Sequence, residues 1–261
     1  MRFKTTVLGV LLLVSVMVLA VPSEAIPPRK ADAWNFGAAI YGWLPSINGT
    51  IALPISGADE ELTMEPSTIL EDLKMTAQFG LEAGKNNWSI FADVIYMSLG
   101  NEKSASATLP NDEVFTADLD VGMKSWIVDL DGGYTVYETE RNRTQVLFGV
   151  RYLWLESTVD ISTNSTHLPG ESLVASADLL DFIVGLRGYF GIGGKWAIPY
   201  RIDMGAGGSE FTWKGQAGID YSWKWGGVVA MYRYLEFDEG NDKTLRKMDM
   251  PGPLLGFHFK F

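Results

Sequence analysis

The stretch GPLLGFHFKF, residues 252–261, decides the fold class. In an extended strand, successive side chains point to opposite faces. One face would then carry aromatic rings and the other small or polar groups: Phe257, Phe259 and Phe261 against Gly256, His258 and Lys260. This pattern is typical of an outer-membrane barrel, in which one face of each strand meets lipid and the other meets a polar lumen. The stretch therefore predicts the closing strand of such a barrel.

The opposite end of the sequence has the pattern of a secretory signal. Arg2 and Lys4 precede an apolar run over residues 7–21, and Ser23 and Ala25 place small residues at the positions that a signal peptidase reads. We expect residues 1–25 to be a cleaved signal peptide and residues 26–261 to form the barrel domain. The alternative is a membrane anchor, since the run approaches the roughly 20 residues of a spanning helix.

The composition favours a barrel and argues against several other classes. The chain has 28 Gly, 9 Trp, 10 Tyr and 13 Phe, which suits many strands, tight turns and aromatic belts. Its formal charge of −11 and its lack of a basic run argue against a nucleic-acid partner, because phosphate neutralisation dominates such binding. The sequence has no cysteine, no metal-ligand spacing and no cofactor motif, so we expect neither metal nor cofactor.

Alternation of apolar and polar residues predicts an all-β, transmembrane, antiparallel up-and-down barrel of ten strands. Short connections alternate with long ones, as periplasmic turns alternate with extracellular loops, and an even strand number brings both termini to the periplasm. Eight strands would result if the strands around 205–211 were misassigned, and twelve if 47–53 and 105–109 formed strands of their own. The predicted strands are 34–44, 75–85, 88–99, 119–137, 145–157, 177–190, 196–205, 212–223, 227–237 and 252–261.

Aromatic residues cluster near both ends of these strands, as two membrane-interface belts require. The alternative is that aromatic residues are simply favoured in strands, but their clustering near both strand ends favours the belts. The residues near the short turns and termini are Trp34, Trp88, Trp196, Trp223 and Phe261, and those nearer the long loops are Trp43, Trp126, Trp154 and Trp213.

The same alternation turns twelve charged residues towards the lumen. They are Glu82, Asp93, Asp129, Asp131, Asp181, Asp203 and Asp220, with Arg151, Arg187, Arg201, Arg233 and Lys260. Side chains can largely fill a barrel of eight to ten strands, so we expect these charges to pair into a network that closes a narrow lumen. An open lining that conducts ions or small solutes is the alternative.

Residues 66–73 predict a short helix in the first long loop. Pro66 suits the first turn, Thr68 and Glu71 have the spacing of a capping box, and Ile69, Leu70 and Leu73 form an apolar stripe. We expect this helix to cover part of the barrel mouth.

Candidate catalytic residues are few, so we do not predict an enzyme. Only two histidines are present: His167 in a long loop, with Asp160 nearby, and His258 on the inward face of the last strand. A hydrolase is the third-ranked hypothesis.

Several stretches together resemble a proteobacterial family of outer-membrane β-barrel proteins, most of them uncharacterised and described as hypothetical. They are YGWLPSINGT at 41–50, STILEDLKM at 67–75, WSIFAD at 88–93, YRYL at 232–235 and GPLLGFHFKF at 252–261. The resemblance covers nearly all of the barrel domain. It implies an outer-membrane location in lipid and lipopolysaccharide, and recognition of the terminal aromatic strand by the barrel assembly machinery.

Two functional hypotheses follow. The first is a narrow, charge-paired barrel that acts as a structural component of the envelope or as a pore for small solutes or ions. The second is a binding module that uses its long loops at the cell surface.

Overall fold

A computed structural model describes residues 33–52, 59–108, 114–163, 171–240 and 245–261. The predicted signal peptide and His167 lie outside these residues. The strands are β1 (Asn35–Trp43), β2 (Ile47–Ala52), β3 (Asp59–Met64), β4 (Leu73–Lys85), β5 (Trp88–Thr108), β6 (Val114–Glu138), β7 (Asn142–Thr163), β8 (Glu171–Gly193), β9 (Trp196–Gly207), β10 (Phe211–Trp223), β11 (Gly226–Asp238) and β12 (Leu245–Lys260), with helix α1 at Pro66–Asp72.

Within the described residues, ten strands close into an antiparallel barrel, which confirms the predicted strand number. Each barrel strand pairs with its neighbours in chain order, and β1 pairs with both β4 and β12 to complete the ring. Phe36 and Phe261 exchange backbone hydrogen bonds of 3.2 and 2.9 Å at the closure. β2 and β3 form a hairpin that is not part of the ten-stranded ring and that pairs with the extracellular end of β12.

Residues alternate along the barrel strands between an exposed apolar face and a buried inner face. In β8, for example, Phe182 and Val184 are exposed, whereas Asp181 and Ile183 are buried. Exposed large apolar residues on other strands include Ile40, Leu81, Ile90, Leu130, Phe148, Ile202 and Leu255. The barrel therefore presents an apolar band on its outside and carries its ionic groups inside.

The prediction of long loops at 100–118 and 158–176 is wrong, because the strands continue through most of these segments. Pairing of β5 with β6 extends to Thr108 and Val114, and pairing of β7 with β8 extends to Ile161 and Glu171. The 25 residues of β6 span about 80 Å at ~3.3 Å per residue, whereas about 9–11 residues cross a membrane. β5 to β8 therefore project beyond the barrel as a four-stranded extracellular sheet. Likewise β12 begins at Leu245 rather than at residue 252.

Helix α1 forms where it is predicted, but without the predicted capping box. Pro66 occupies the first turn, and Glu65 is the N-cap residue without a side-chain hydrogen bond. Ile69 is buried against Met97 and Leu99, two inward-facing residues of β5. The helix therefore packs on the inner side of the wall at the extracellular mouth.

None of the helices in the described ranges is long and apolar enough to span a membrane.

Candidate functional site: the charged lumen

A layer of paired charges crosses the middle of the lumen. It contains five acidic and five basic side chains, which lie on the eight consecutive strands β4 to β11. They are Glu82, Asp93, Asp129, Asp131 and Asp203, with Arg151, Arg187, Arg201, Lys214 and Arg233. We refer to these ten residues as the central charge layer. Its formal net charge is zero.

Arg151 lies at the centre of this layer and is fully buried. Its guanidinium donates to both carboxylate oxygens of Asp129, at 3.0 and 3.2 Å, and to Asp203 Oδ1 at 2.6 Å. It also donates to Thr212 Oγ1 at 3.1 Å. The planar guanidinium suits such a bidentate contact, so Arg151 joins β6, β9 and β10 through one side chain.

Arg201 makes a second set of contacts to the same carboxylates. It donates to Asp203 Oδ2 at 2.6 Å, to Asp131 Oδ2 at 2.8 Å and to Asp129 Oδ2 at 3.3 Å. Its guanidinium also lies 5.9 Å from the ring centre of Phe91, which faces the lumen. Since Asp129 and Asp203 each bind both arginines, these four residues form one connected cluster.

Lys214, Arg233 and Asp93 extend this cluster towards β11 and β1. The Lys214 ammonium contacts Asp129 and lies 3.6 Å from Asp93 Oδ2. Arg233 lies 3.1 Å from the same Asp93 oxygen, and the Tyr41 hydroxyl donates to the other Asp93 oxygen. The network thereby reaches β1 and β11, the two strands that flank β12.

Arg187 extends the layer towards β4 and β5. Its guanidinium lies 3.4 Å from Asp131 Oδ1 and 3.9 Å from Glu82 Oε1, and it stacks 5.0 Å from the ring centre of Phe91. Arg187 also donates to Gln145 and Ser89, which line the lumen on the periplasmic side of the layer.

The structure brings nine of the twelve predicted lumen charges into this layer and places three elsewhere. Asp181 instead accepts hydrogen bonds from Ser209 N at 2.8 Å and Ser209 Oγ at 2.7 Å, and so fixes the short β9–β10 connection. Asp220 binds His258 Nε2 at 2.6 Å near the periplasmic end, and Lys260 lies 3.4 Å from Ser222 Oγ. The predicted charges therefore pair in more than one place: most in the central charge layer, Asp181 with Ser209 and Asp220 with His258.

Lys214 belongs to the layer but is not among the twelve predicted charges, although the alternation indicates it. It lies an even number of residues from Asp220 on β10, and Asp220 is predicted to face the lumen. With Lys214 included, the acids and bases of the layer balance.

An apolar cluster fills the lumen on the extracellular side of the charges. Its buried members are Trp43, Ile95, Ile127, Leu153, Leu179, Leu235, Phe237, Met248, Met250 and Leu254. The lumen is therefore polar only in part, because its extracellular half is packed with apolar side chains like a protein core. Trp43 is 1% exposed within this cluster, so its assignment to a membrane-interface belt is wrong.

The other predicted belt residues lie on the outward face of the wall. Near the short turns, Trp34, Trp88, Trp196 and Phe261 are exposed and Trp223 is partly buried against Trp225. Near the extracellular side, Trp126 is exposed, while Trp154 and Trp213 are half-buried, the latter stacked on Tyr234. Amphipathic rings at these two levels suit the two interfaces of a bilayer.

No group of acidic or histidine side chains with metal-binding geometry occurs among the residues that the structure describes.

The closed ring of strands, the apolar outer band and the buried ionic interior together define the class of this protein. In lipid, every backbone polar group must be satisfied internally, and a closed barrel achieves this without an open edge. The protein is a transmembrane β-barrel of the bacterial outer membrane.

Comparison with known proteins finds distant structural likenesses to barrels of this class. The translocator domain of the autotransporter NalP from Neisseria meningitidis shares 14% identity, with 89% of this chain and 90% of that chain covered and a TM-score of 0.43. Ail, the attachment invasion locus protein of Yersinia pestis, shares 13% over 88% and 99%, with a TM-score of 0.35. The toluene transporter TodX of Pseudomonas putida shares 10% over 91% and 95%, with a TM-score of 0.32. No family model and no curated protein matches the chain.

Proposed function

We propose that this protein is a closed, non-conducting outer-membrane barrel that serves as a structural component of the envelope. The central charge layer carries this proposal. Its acids and bases balance, and Asp129, Arg151, Asp203 and Arg233 are each at most 3% exposed. A permeating ion would have to separate buried ion pairs, and truncating one partner of such a pair typically costs about 3–5 kcal/mol.

The apolar cluster adds a second barrier above the charges. A hydrophobic constriction opposes ion passage because it excludes water. Helix α1 covers the same side of the barrel through Ile69. The two layers in series therefore favour a closed barrel over the alternative of a pore for small solutes.

Planar-bilayer recording of the purified protein tests this proposal. We expect no stepwise conductance from the parent protein, while a porin reconstituted in the same bilayer supplies the positive control. Well-resolved steps from the parent at neutral pH would refute a closed barrel.

Surface binding through the extracellular sheet is a second candidate function, and the length of β5 to β8 favours it. Above Leu99, β5 has no described pairing with β4, and β8 pairs with β9 only from Asp181 onwards. Within the described ranges, the outer parts of β5 and β8 therefore each have one edge without a paired strand, and the backbone groups of such an edge can pair with an added strand.

The pairing register permits a clean test of this second function. Asn101 faces Val121, and Thr158 faces Val174, so an Asn-Gly turn can join each pair in place of the residues between. The shortened barrel should fold, as judged by its heat-dependent mobility in SDS gels, but cells that display it should lose adhesion. Equal adhesion by parent and shortened forms would eliminate the binding role.

We also propose that lipopolysaccharide surrounds the barrel and that the assembly machinery recognises β12. Phe257 and Phe261 on the outward face of that strand support recognition. We propose no enzymatic role, since His258 is engaged with Asp220 inside the barrel.

A further inference from the structure

The extracellular half of β1 is weakly joined to β4. Regular pairing between the two strands ends at Ile40 and Phe79. Beyond this point, the side-chain amide of Gln78 replaces backbone pairing: Trp43 N donates to Gln78 Oε1 at 2.6 Å, and Gln78 Nε2 donates to Trp43 O at 3.2 Å. One side chain therefore bridges this gap between β1 and β4.

Residues 44–46, which directly follow β1, are weakly joined to β12 for a different reason, whereas β1 itself pairs regularly with β12 as far as Trp43 and Leu254. Leu44 N donates to Pro253 O at 3.0 Å, and Ser46 N donates to Pro251 O at 2.8 Å. In a regular antiparallel ladder each such pair would exchange two hydrogen bonds, but proline has no N–H. Half of the expected backbone hydrogen bonds between residues 44–46 and residues 251–253 are therefore absent.

An apolar groove lies on the outer face at this position. Its volume is about 650 Å³, and Gly42, Leu44, Ala217, Ala230, Pro253 and Leu255 line it. The small residues create the depression, and the groove lies on the lipid-facing side of the barrel. Acyl chains of the surrounding lipid are therefore the molecules that bathe it.

The inner side of the same segment faces the apolar cluster. Trp43 and Leu254 pair across the β1–β12 interface, and both belong to that cluster. Trp43 Nε1 is buried and has no hydrogen-bond partner among the residues that the structure describes. A buried unpaired donor is costly, typically about 1–3 kcal/mol, so an entering carbonyl oxygen would be stabilised here.

We propose that residues 41–46 form a lateral portal in the barrel wall, through which an acyl chain of an outer-leaflet lipid enters the apolar cluster. The ester or amide carbonyl at the head of the chain accepts a hydrogen bond from Trp43 Nε1. The methylene chain displaces apolar side chains such as Leu254 and Met250. The central charge layer lies below this site and stays closed, so lipid entry produces no ion conductance.

Vesicles of phosphatidylcholine with brominated acyl chains test the portal, because bromine quenches indoles that it contacts. The emission of Trp43 is obtained as the difference between the parent and Trp43→Phe, each measured in brominated and unbrominated vesicles. We expect brominated lipid to reduce this difference emission at least twofold. Unchanged Trp43 emission in brominated vesicles would overturn the portal.

Two further variants show whether Trp43 is quenched by acyl chains that enter through the wall or by lipid that stays on its outer face. Pro251→Ala combined with Pro253→Ala restores both missing donors, and Gly42→Leu fills the outer groove, where an added side chain meets open space. Each should return the Trp43 emission at least halfway to its value in unbrominated lipid. Pro199→Ala, in β9, is the matched control and should leave the quenching unchanged. If Gly42→Leu, which leaves the backbone pairing intact, is quenched as strongly as the parent, the groove is not the entrance.

This experiment is independent of the proposed function. Absence of quenching removes the portal but leaves the closed barrel intact, whereas channel activity of the parent removes the closed barrel and leaves the quenching result unaffected.

Discussion

Replacing Arg151 by methionine should destabilise the barrel by about 3 kcal/mol, at the lower end of the range for breaking a buried ion pair. The substitution removes the hydrogen bonds to Asp129, Asp203 and Thr212 and leaves the central charge layer with one excess negative charge. The loss stays near the lower end because Arg201 still contacts both carboxylates. About 3 kcal/mol corresponds to a more than hundredfold shift in the folding equilibrium.

Urea titration in phospholipid vesicles, followed by tryptophan fluorescence, measures this change. Arg141→Met, in the exposed β6–β7 turn, is the matched control and should stay within about 0.5 kcal/mol of the parent. Adding Asp203→Asn to Arg151→Met restores neutrality, so the double variant should lose at least ~1 kcal/mol less than the two single losses together. An Arg151→Met protein within about 1 kcal/mol of the parent would show that the layer does not stabilise the fold.

Three further outcomes are expected. Gly185→Ala should strongly impair folding, because an added Cβ would lie 2.1 Å from the Ile202 carbonyl oxygen. Gly122→Ala should fold normally, since its Cβ meets nothing within 4 Å. The folded fraction of each variant is measured from its mobility in SDS gels. Ile69→Ala should speed proteolysis of the segment around α1, because Ile69 is 1% exposed, while Leu70→Ala, at 53%, should not. Lys214→Met leaves Asp129 and Asp93 with one cation fewer and should lower the free energy of unfolding by about 3 kcal/mol, which the same urea titration measures.

The barrel itself could be predicted from the sequence because alternation has a period of two and is independent of distant contacts. The inward assignment of Arg151, Arg201 and Asp203 follows from this alternation alone. Which inward charges meet does not follow, because it depends on the register and tilt of strands that are far apart in sequence. Asp181 shows this: it lies beside Arg151 in the β7–β8 register, yet it binds the Ser209 turn.

The predicted interfacial position of Trp43 and the predicted long loops are wrong for different physical reasons. The enrichment of tryptophan at membrane interfaces predicts an interfacial position for Trp43, but Trp43 lies two residues from Tyr41 on β1 and shares its inward face. The sequence does not predict the extracellular sheet, because polar residues such as those at 101–104 are typical of a loop. Outside the membrane, however, a strand needs no apolar face if its neighbours supply the hydrogen bonds.

The continuity of β5 to β8 across the membrane boundary also has a mechanical consequence. A force applied at the tip of the extracellular sheet acts along strands that run without a break into the barrel wall. Since antiparallel hydrogen bonds lie perpendicular to the strands, such a load shears many of them together instead of separating them one by one. The barrel is thereby suited to hold its surface sheet in place under tension.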